Sequence, residues 1–227
     1  MRPAMQPGEA LSGCWRLADL EGSPLRPGGL ALTEELIGLA GFRPGHRVAD
    51  VGCGLGASTR LLVRRGVAAV GVDVDVQASP RAAPFVAADA ARLPFADQSL
   101  DGVLAECVLS VLPNRGAALA EWARALKPGG RLALSDVYGR AGAETARLPT
   151  REGLELTIAA AGFQIERFEG RSEVLRRWVA EFIFAHGSLD ALCDGAVDPA
   201  TLGRSRPGYC LIAALKPAGH FEKARHG

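Results

Sequence analysis

Short aliphatic and β-branched runs alternate along the chain with stretches whose apolar residues recur at helical spacing, which is the writing of repeated βαβ units. The runs at 47–51, 67–74, 84–88, 100–106 and 131–137 are nearly continuous in apolar residues, as strands covered on both faces must be. Helices are predicted at 58–65 and 114–126, and another precedes the first strand on Leu36, Ile37, Leu39 and Ala40, with Thr33 as candidate N-cap and Gly41 as its stop. Beyond Asp136 the alternation continues through a helix at 151–161, a strand at 163–168, a helix at 172–186 and a last strand at 209–215. In that last helix Val174, Leu175, Trp178, Val179, Phe182 and Ile183 form one stripe, which predicts a face laid on the sheet.

Two segments break the alternation. Residues 1–28 are rich in Pro and Gly and predict a loose arm with one short helix near Cys14 to Leu20. The chain is therefore divided into 1–41, an arm and helix placed to act as a lid, and 42–227, an α/β domain. Within the latter, 171–206 is an insertion between the last two strands, too long for a hairpin turn.

Composition narrows the function without naming it. The 227 residues are 48% hydrophobic and 22% charged, enough to bury one core. Lys plus Arg number 26 and Asp plus Glu 25, so no charge excess directs the protein to nucleic acid or to an anionic membrane, and a small-molecule substrate is expected. Cys14, Cys53, Cys107, Cys193 and Cys210 are scattered and odd in number, which writes neither a disulfide framework nor a metal site and implies a reducing compartment. With no apolar leader and no run of the ~18 apolar residues a membrane helix needs, a cytoplasmic monomer or homodimer is expected.

The chemistry concentrates where the first strand meets its helix, in Asp50-Val51-Gly52-Cys53-Gly54-Leu55-Gly56. Glycines at alternate positions let the backbone turn tightly and approach a ligand. Twenty-one positions after Gly52 the second strand ends at Asp73, where a carboxylate can accept from ribose hydroxyls. Taken alone, the glycine string also suits a nicotinamide-dependent oxidoreductase. Three further strings decide between them: Ala88-Asp89-Ala90 with Leu93-Pro94-Phe95, then Ser99-Leu100-Asp101-Gly102-Val103, then Lys127-Pro128-Gly129-Gly130.

With these, residues 46–137 resemble the class I methyltransferases that use S-adenosylmethionine (AdoMet), especially the menaquinone and ubiquinone biosynthesis branch. The resemblance implies a Rossmann-like, seven-stranded, mostly parallel sheet with helices on both faces and an antiparallel last strand between strands five and six. It also implies transfer of a methyl group from AdoMet, leaving S-adenosylhomocysteine (AdoHcy). Asp50 would meet the methionine part of the cofactor; Gly52, Cys53, Gly54 and Gly56 would approach its methionine and ribose; Asp73 would take the ribose hydroxyls. Asp89 and Ala90 would address adenine, and Glu106 would line the methyl-transfer pocket. Only fifteen residues, 74–88, separate Asp73 from Asp89, so a full second helix is not expected there, and Val74 is the nearest candidate for the apolar contact on adenine. Glu106 and Tyr138, at the ends of strands four and five, are the catalytic candidates: Glu106 as base or anchor, Tyr138 (or Trp15) as a cation-π cover for the sulfonium. A non-catalytic AdoMet-binding protein shares all of these cofactor features, and methylation of arsenite or a thiol is a variant raised by the cysteines.

Overall fold

A computed structural model describes residues 26–75, 84–139, 148–188 and 207–218. Seven strands, β1 (Arg47–Val51), β2 (Ala68–Asp73), β3 (Phe85–Ala87), β4 (Leu100–Glu106), β5 (Leu126–Tyr138), β6 (Gln164–Gly170) and β7 (Gly208–Leu215), form one sheet in the order β3-β2-β1-β4-β5-β7-β6. β3, β2, β1, β4 and β5 pair in parallel; β7 runs antiparallel between β5 and β6. The expected strand order and the reversed last strand are both present.

Among the described residues five helices cover the sheet: α1 (Gly29–Ala40), α2 (Ala57–Arg64), α3 (Arg115–Ala125), α4 (Arg151–Ala160) and α5 (Ser172–His186). The two faces pack as separate cores. On one, Leu119 and Trp122 of α3 and Leu154 and Ile158 of α4 meet Val103, Leu132, Leu134 and Ile212. On the other, Leu36 and Ile37 of α1, Leu62 of α2 and Leu175 of α5 meet Val48, Leu104, Ala133 and Leu211. Burying each such side chain stabilises the fold by about 1.5–3 kcal/mol, which is why these helices lie where their stripes point.

Three expectations change. α1 starts four residues before Thr33, at Gly29, with Gly28 in the left-handed conformation as its N-cap. Thr33 is a fully buried residue of the helix interior, its hydroxyl donating to Gly29 O at 3.2 Å. The helix thus packs as part of the core. Second, Lys127-Pro128-Gly129-Gly130 does not precede β5 but bulges within it, between the pairs Leu100–Leu126 and Gly102–Arg131. Third, Ile183 of the α5 stripe is 41% exposed, while Leu175 and Phe182 are buried. α5 fills the first part of the 171–206 connection and crosses to the α1 face. The short helix expected at 14–20 and residues 76–83 of the shortened β2–β3 connection lie outside the described residues.

Candidate functional site

At the carboxyl edge of the parallel strands, the turn from β1 to α2 is tied to β2 by the N–H groups of Gly52 and Cys53, which both donate to Val72 O (2.7 and 3.1 Å). Gly52, Gly54 and Gly56 all have positive φ. Their surroundings differ. A Cβ on Gly52 would lie 2.2 Å from Val108 Cγ2 and one on Gly56 2.2 Å from Phe85 Cζ, whereas one on Gly54 meets nothing within 4 Å among the described residues. Two glycines are therefore needed for packing within the protein, and Gly54 is where bare backbone faces open space. Its N–H donates to Asp73 Oδ2 at 2.9 Å, and Asp75 N–H donates to Oδ1 at 3.1 Å, so the carboxylate at the end of β2 is held against that turn.

Beneath the turn lies a pair of buried carboxyl groups. Asp50 is 2% exposed and accepts from Thr59 Oγ1, in the first turn of α2, at 2.6 Å. Burial pushes its pKa up to about 7, with Glu106 adding to the rise and Thr59 and Arg26 opposing it. Glu106, at the end of β4, is enclosed by donors from three segments: Ser58 Oγ of α2 (2.6 Å), Thr33 Oγ1 of α1 (3.0 and 3.3 Å) and the guanidinium of Arg26 (3.1 Å). The side chains of Arg26 and Glu106 are 12% and 5% exposed.

The other residues singled out in the sequence sit around this centre. Cys53 is half-buried in the turn. Val74, 77% exposed, follows Asp73 directly. Asp89 is exposed and its Oδ1 accepts from Ala91 N–H at 2.8 Å. Ala90 is buried, with its carbonyl accepting from Trp122 Nε1 of α3 at 2.8 Å. Tyr138 is not brought to this centre. Its ring packs edge-on against Phe168 of β6 at 5.8 Å and fills the space left by Gly208 on β7, on the far side of β5 from the glycine turn. A surface groove between α4 and β6, lined by Arg151, Leu156, Phe163 and Phe168 among others, lies on that same distant side.

The described cysteines are poor nucleophiles. Burial, aided by Asp136, raises the Cys107 thiol to about 12, and burial lifts Cys53 and Cys210 well above the usual thiol range. Cys107 occupies the left-handed region (φ 58°), with its sulfur 3.3 Å from Tyr209 Oη. That strain, of order 1 kcal/mol or more, ends β4 and turns the chain into the short 3-10 turn Leu109–Val111. Asp136 fixes the turn by accepting from Ser110 N–H at 2.9 Å. Cys14, Cys193 and Trp15 lie outside the described residues.

The sequence reading missed Arg26 as a partner of Glu106, and missed Thr33, Ser58 and Thr59. Two hydroxyl residues immediately after a glycine turn are a usable signal for Ser58 and Thr59, because they open the helix beside the strand-end carboxylates. Arg26 is singled out in the sequence only within Arg26-Pro27-Gly28-Gly29, as a hinge or substrate contact ahead of the first helix, and no local pattern signals its pairing with Glu106.

Residues 49–134 match a family model described as a methyltransferase domain. The chain is 30% identical over 244 aligned positions to 27-O-demethylrifamycin SV methyltransferase of Amycolatopsis mediterranei, covering 90% of this chain and 89% of that protein. The chain belongs to the AdoMet-dependent methyltransferases. Demethylmenaquinone methyltransferase of Mycobacterium tuberculosis is 33% identical over 150 residues, 63% of this chain and 64% of that one. This methyltransferase spans about half to two thirds of several other curated relatives that it matches. Its fold is similar to that of geranyl diphosphate C-methyltransferase from Streptomyces coelicolor, with a TM-score of 0.74 at 16% identity, covering 95% of this chain and 100% of that one. That structure holds S-adenosylhomocysteine, as its description states.

The residues present fit AdoMet. Open backbone at Gly54 admits a ligand against the turn, the Asp73 carboxylate suits a diol, and a buried carboxyl at Asp50 suits an ammonium. Arg26 Nε is buried and has no hydrogen-bond partner among the described residues, leaving a donor over for an acceptor brought by a ligand.

Proposed function

We propose that this methyltransferase transfers the methyl group to an oxygen or carbon nucleophile of a small, largely apolar molecule, and that the nucleophile ionises without a protein carboxylate as base. The observation that carries this reading is the enclosure of Glu106: its oxygens are engaged by Arg26, Thr33 and Ser58, so the carboxyl at the end of β4 anchors the segments around the site. AdoMet supplies a methyl already activated on a sulfonium. What the protein adds is alignment, worth up to about 7–11 kcal/mol when nucleophile and methyl are held in line.

In this reading Asp50 receives the ammonium, Gly54 lies against the methionine and ribose, Asp73 takes the ribose hydroxyls, and Asp89 with Ala90 and Val74 borders adenine. The acceptor approaches past the Leu109–Val111 turn, where Val111 is 46% exposed beside half-buried Leu112. An electron pair of the acceptor, a lone pair on oxygen or the π pair of an electron-rich carbon, would form the new bond to the methyl carbon, the pair of the broken carbon–sulfur bond would stay on sulfur, and the acceptor's proton would pass to solvent. Relatives named for a 27-O-demethylrifamycin and for demethylmenaquinone support small organic acceptors. The described cysteines, with their thiols held above the usual range, give no support to arsenite or thiol chemistry.

The test is transfer of labelled methyl from AdoMet to a panel of phenols, quinols, alcohols, thiols and arsenite. Product on phenols or quinols, at a rate that rises as the acceptor's own pKa falls, is the expected result. Product on thiols or arsenite alone overturns the assignment of the acceptor.

A further inference from the structure

Arg26 stands out because its environment is half satisfied. Its Nη2 meets Thr33 Oγ1 at 2.5 Å, Ser58 Oγ at 2.7 Å and Glu106 Oε2 at 3.1 Å. Nε is buried without a partner among the described residues. A buried unsatisfied donor is costly, and guanidinium has no way to shed its charge, so the group is set for an acceptor that also carries negative charge. The planar fork of Arg matches the geometry of a carboxylate, which it can bind through two parallel hydrogen bonds.

The charges around it point the same way. Asp50 and Glu106 place two carboxyl groups on neighbouring strands, with Arg26 between the α1 and α2 hydroxyls that hold Glu106. A zwitterionic amino acid moiety suits such a place: its ammonium meets a carboxylate and its carboxylate meets the guanidinium. The segment that supplies Arg26 precedes α1, whereas Asp50 belongs to β1, so the two ends of the zwitterion would be gripped by separate parts of the chain.

We propose that Arg26 is a cofactor ligand, taking the α-carboxylate of the methionine half of AdoMet while keeping its contact with Glu106. Its binding would join the segment before α1 to the cofactor, with Glu106 as the common post for both. The proposal rests on the cofactor assignment and adds a ligand from outside the glycine motif.

Calorimetry with wild type, Arg26→Gln and Arg26→Lys tests it against three ligands: AdoHcy, its decarboxylated analogue, and 5′-methylthioadenosine, which lacks both the ammonium and the carboxylate. In wild type, removing the carboxylate is expected to weaken binding about 10- to 100-fold, the scale of a charge-assisted hydrogen bond. Arg26→Gln should lose about the same for AdoHcy, lose less than about 3-fold for 5′-methylthioadenosine, and no longer discriminate the decarboxylated analogue. Arg26→Lys should recover part of the AdoHcy affinity, since charge survives and the fork does not. Equal affinity of wild type for AdoHcy and its decarboxylated analogue overturns the proposal whatever the variants do. A uniform loss across all three ligands in Arg26→Gln overturns it too, in favour of a purely structural ion pair. Failure of wild type to bind any of the three removes the cofactor assignment itself, and this proposal with it.

Discussion

Thr59 Oγ1 donates to Asp50 Oδ2 at 2.6 Å, across the junction of β1 and α2, in a place where water does not reach either group. One hydroxyl is too little to replace the lost hydration of a carboxylate, and Asp50 titrates near 7. In the unfolded chain an aspartate ionises near 4, so between those values the ligand-free folded protein binds one proton more than the unfolded chain. The folded state is therefore favoured at low pH by this group, and that advantage is lost as pH rises through about 7. Between pH 5 and 8, wild type should lose about 2–3 kcal/mol more stability than Asp50→Asn, which still accepts from Thr59 and carries no charge. Urea unfolding of both proteins at the two pH values checks it; equal losses would mean that Asp50 is ionised throughout. If Asp50 receives the ammonium of AdoMet, the cofactor should reverse the trend, because an ammonium needs the ionised form.

The glycines of the turn separate into packing and ligand roles. Gly52→Ala and Gly56→Ala drive a Cβ to 2.2 Å from Val108 and Phe85 and keep a positive φ, so each should destabilise by more than about 2 kcal/mol. Gly54→Ala meets no atom of the described residues within 4 Å. It should cost only about 1 kcal/mol, from backbone strain, while weakening AdoMet at least about 10-fold. Thermal melts beside calorimetric titrations distinguish these outcomes; a Gly54→Ala protein that binds AdoMet normally would move the cofactor off the turn.

Most of the fold was legible because its central strands β1, β4, β5 and β7 are largely buried and thus read as apolar runs. Asp50, Asp73 and the glycine turn were legible for the same reason: local backbone geometry puts them at a strand end. Thr33 was misplaced because a hydroxyl before an apolar run looks like a cap, whereas here its hydroxyl bonds Gly29 O and Glu106 within the core. Tyr138 was misplaced because strand position gives the sheet edge but not the side chain's direction, which Gly208 and Phe168 decide from sequence-distant strands. The Arg26–Glu106 pair joins positions 80 residues apart in sequence, and no local pattern encodes such a contact.

Glu106 separates anchoring from proton transfer. Glu106→Ala leaves the guanidinium of Arg26 buried without its counter-charge and should destabilise by about 3–5 kcal/mol. Glu106→Gln keeps acceptors for Thr33 and Ser58 and should cost less. With saturating AdoMet and acceptor, Glu106→Gln should retain kcat within about 10-fold, since removing a general base typically costs 10²–10⁴. Steady-state kinetics give the answer, and a larger fall in kcat with unchanged AdoMet affinity would restore Glu106 as the base.

The indole of Trp122 reaches the loop that carries Asp89 and Ala90. It is fully buried in α3 and donates from Nε1 to Ala90 O at 2.8 Å, holding the loop that carries Asp89 to the core. Trp122→Phe removes that donor, leaves a buried carbonyl unpaired and opens a small void, at a cost of about 1–3 kcal/mol. If the Asp89–Ala90 loop borders adenine, the loosened loop should also weaken AdoMet several-fold while affinity for methionine fragments without adenine stays as in wild type. Measuring unfolding and binding on the same variant settles which applies: lost stability with unchanged AdoMet affinity would mean that the loop serves the core alone, and that adenine is held elsewhere.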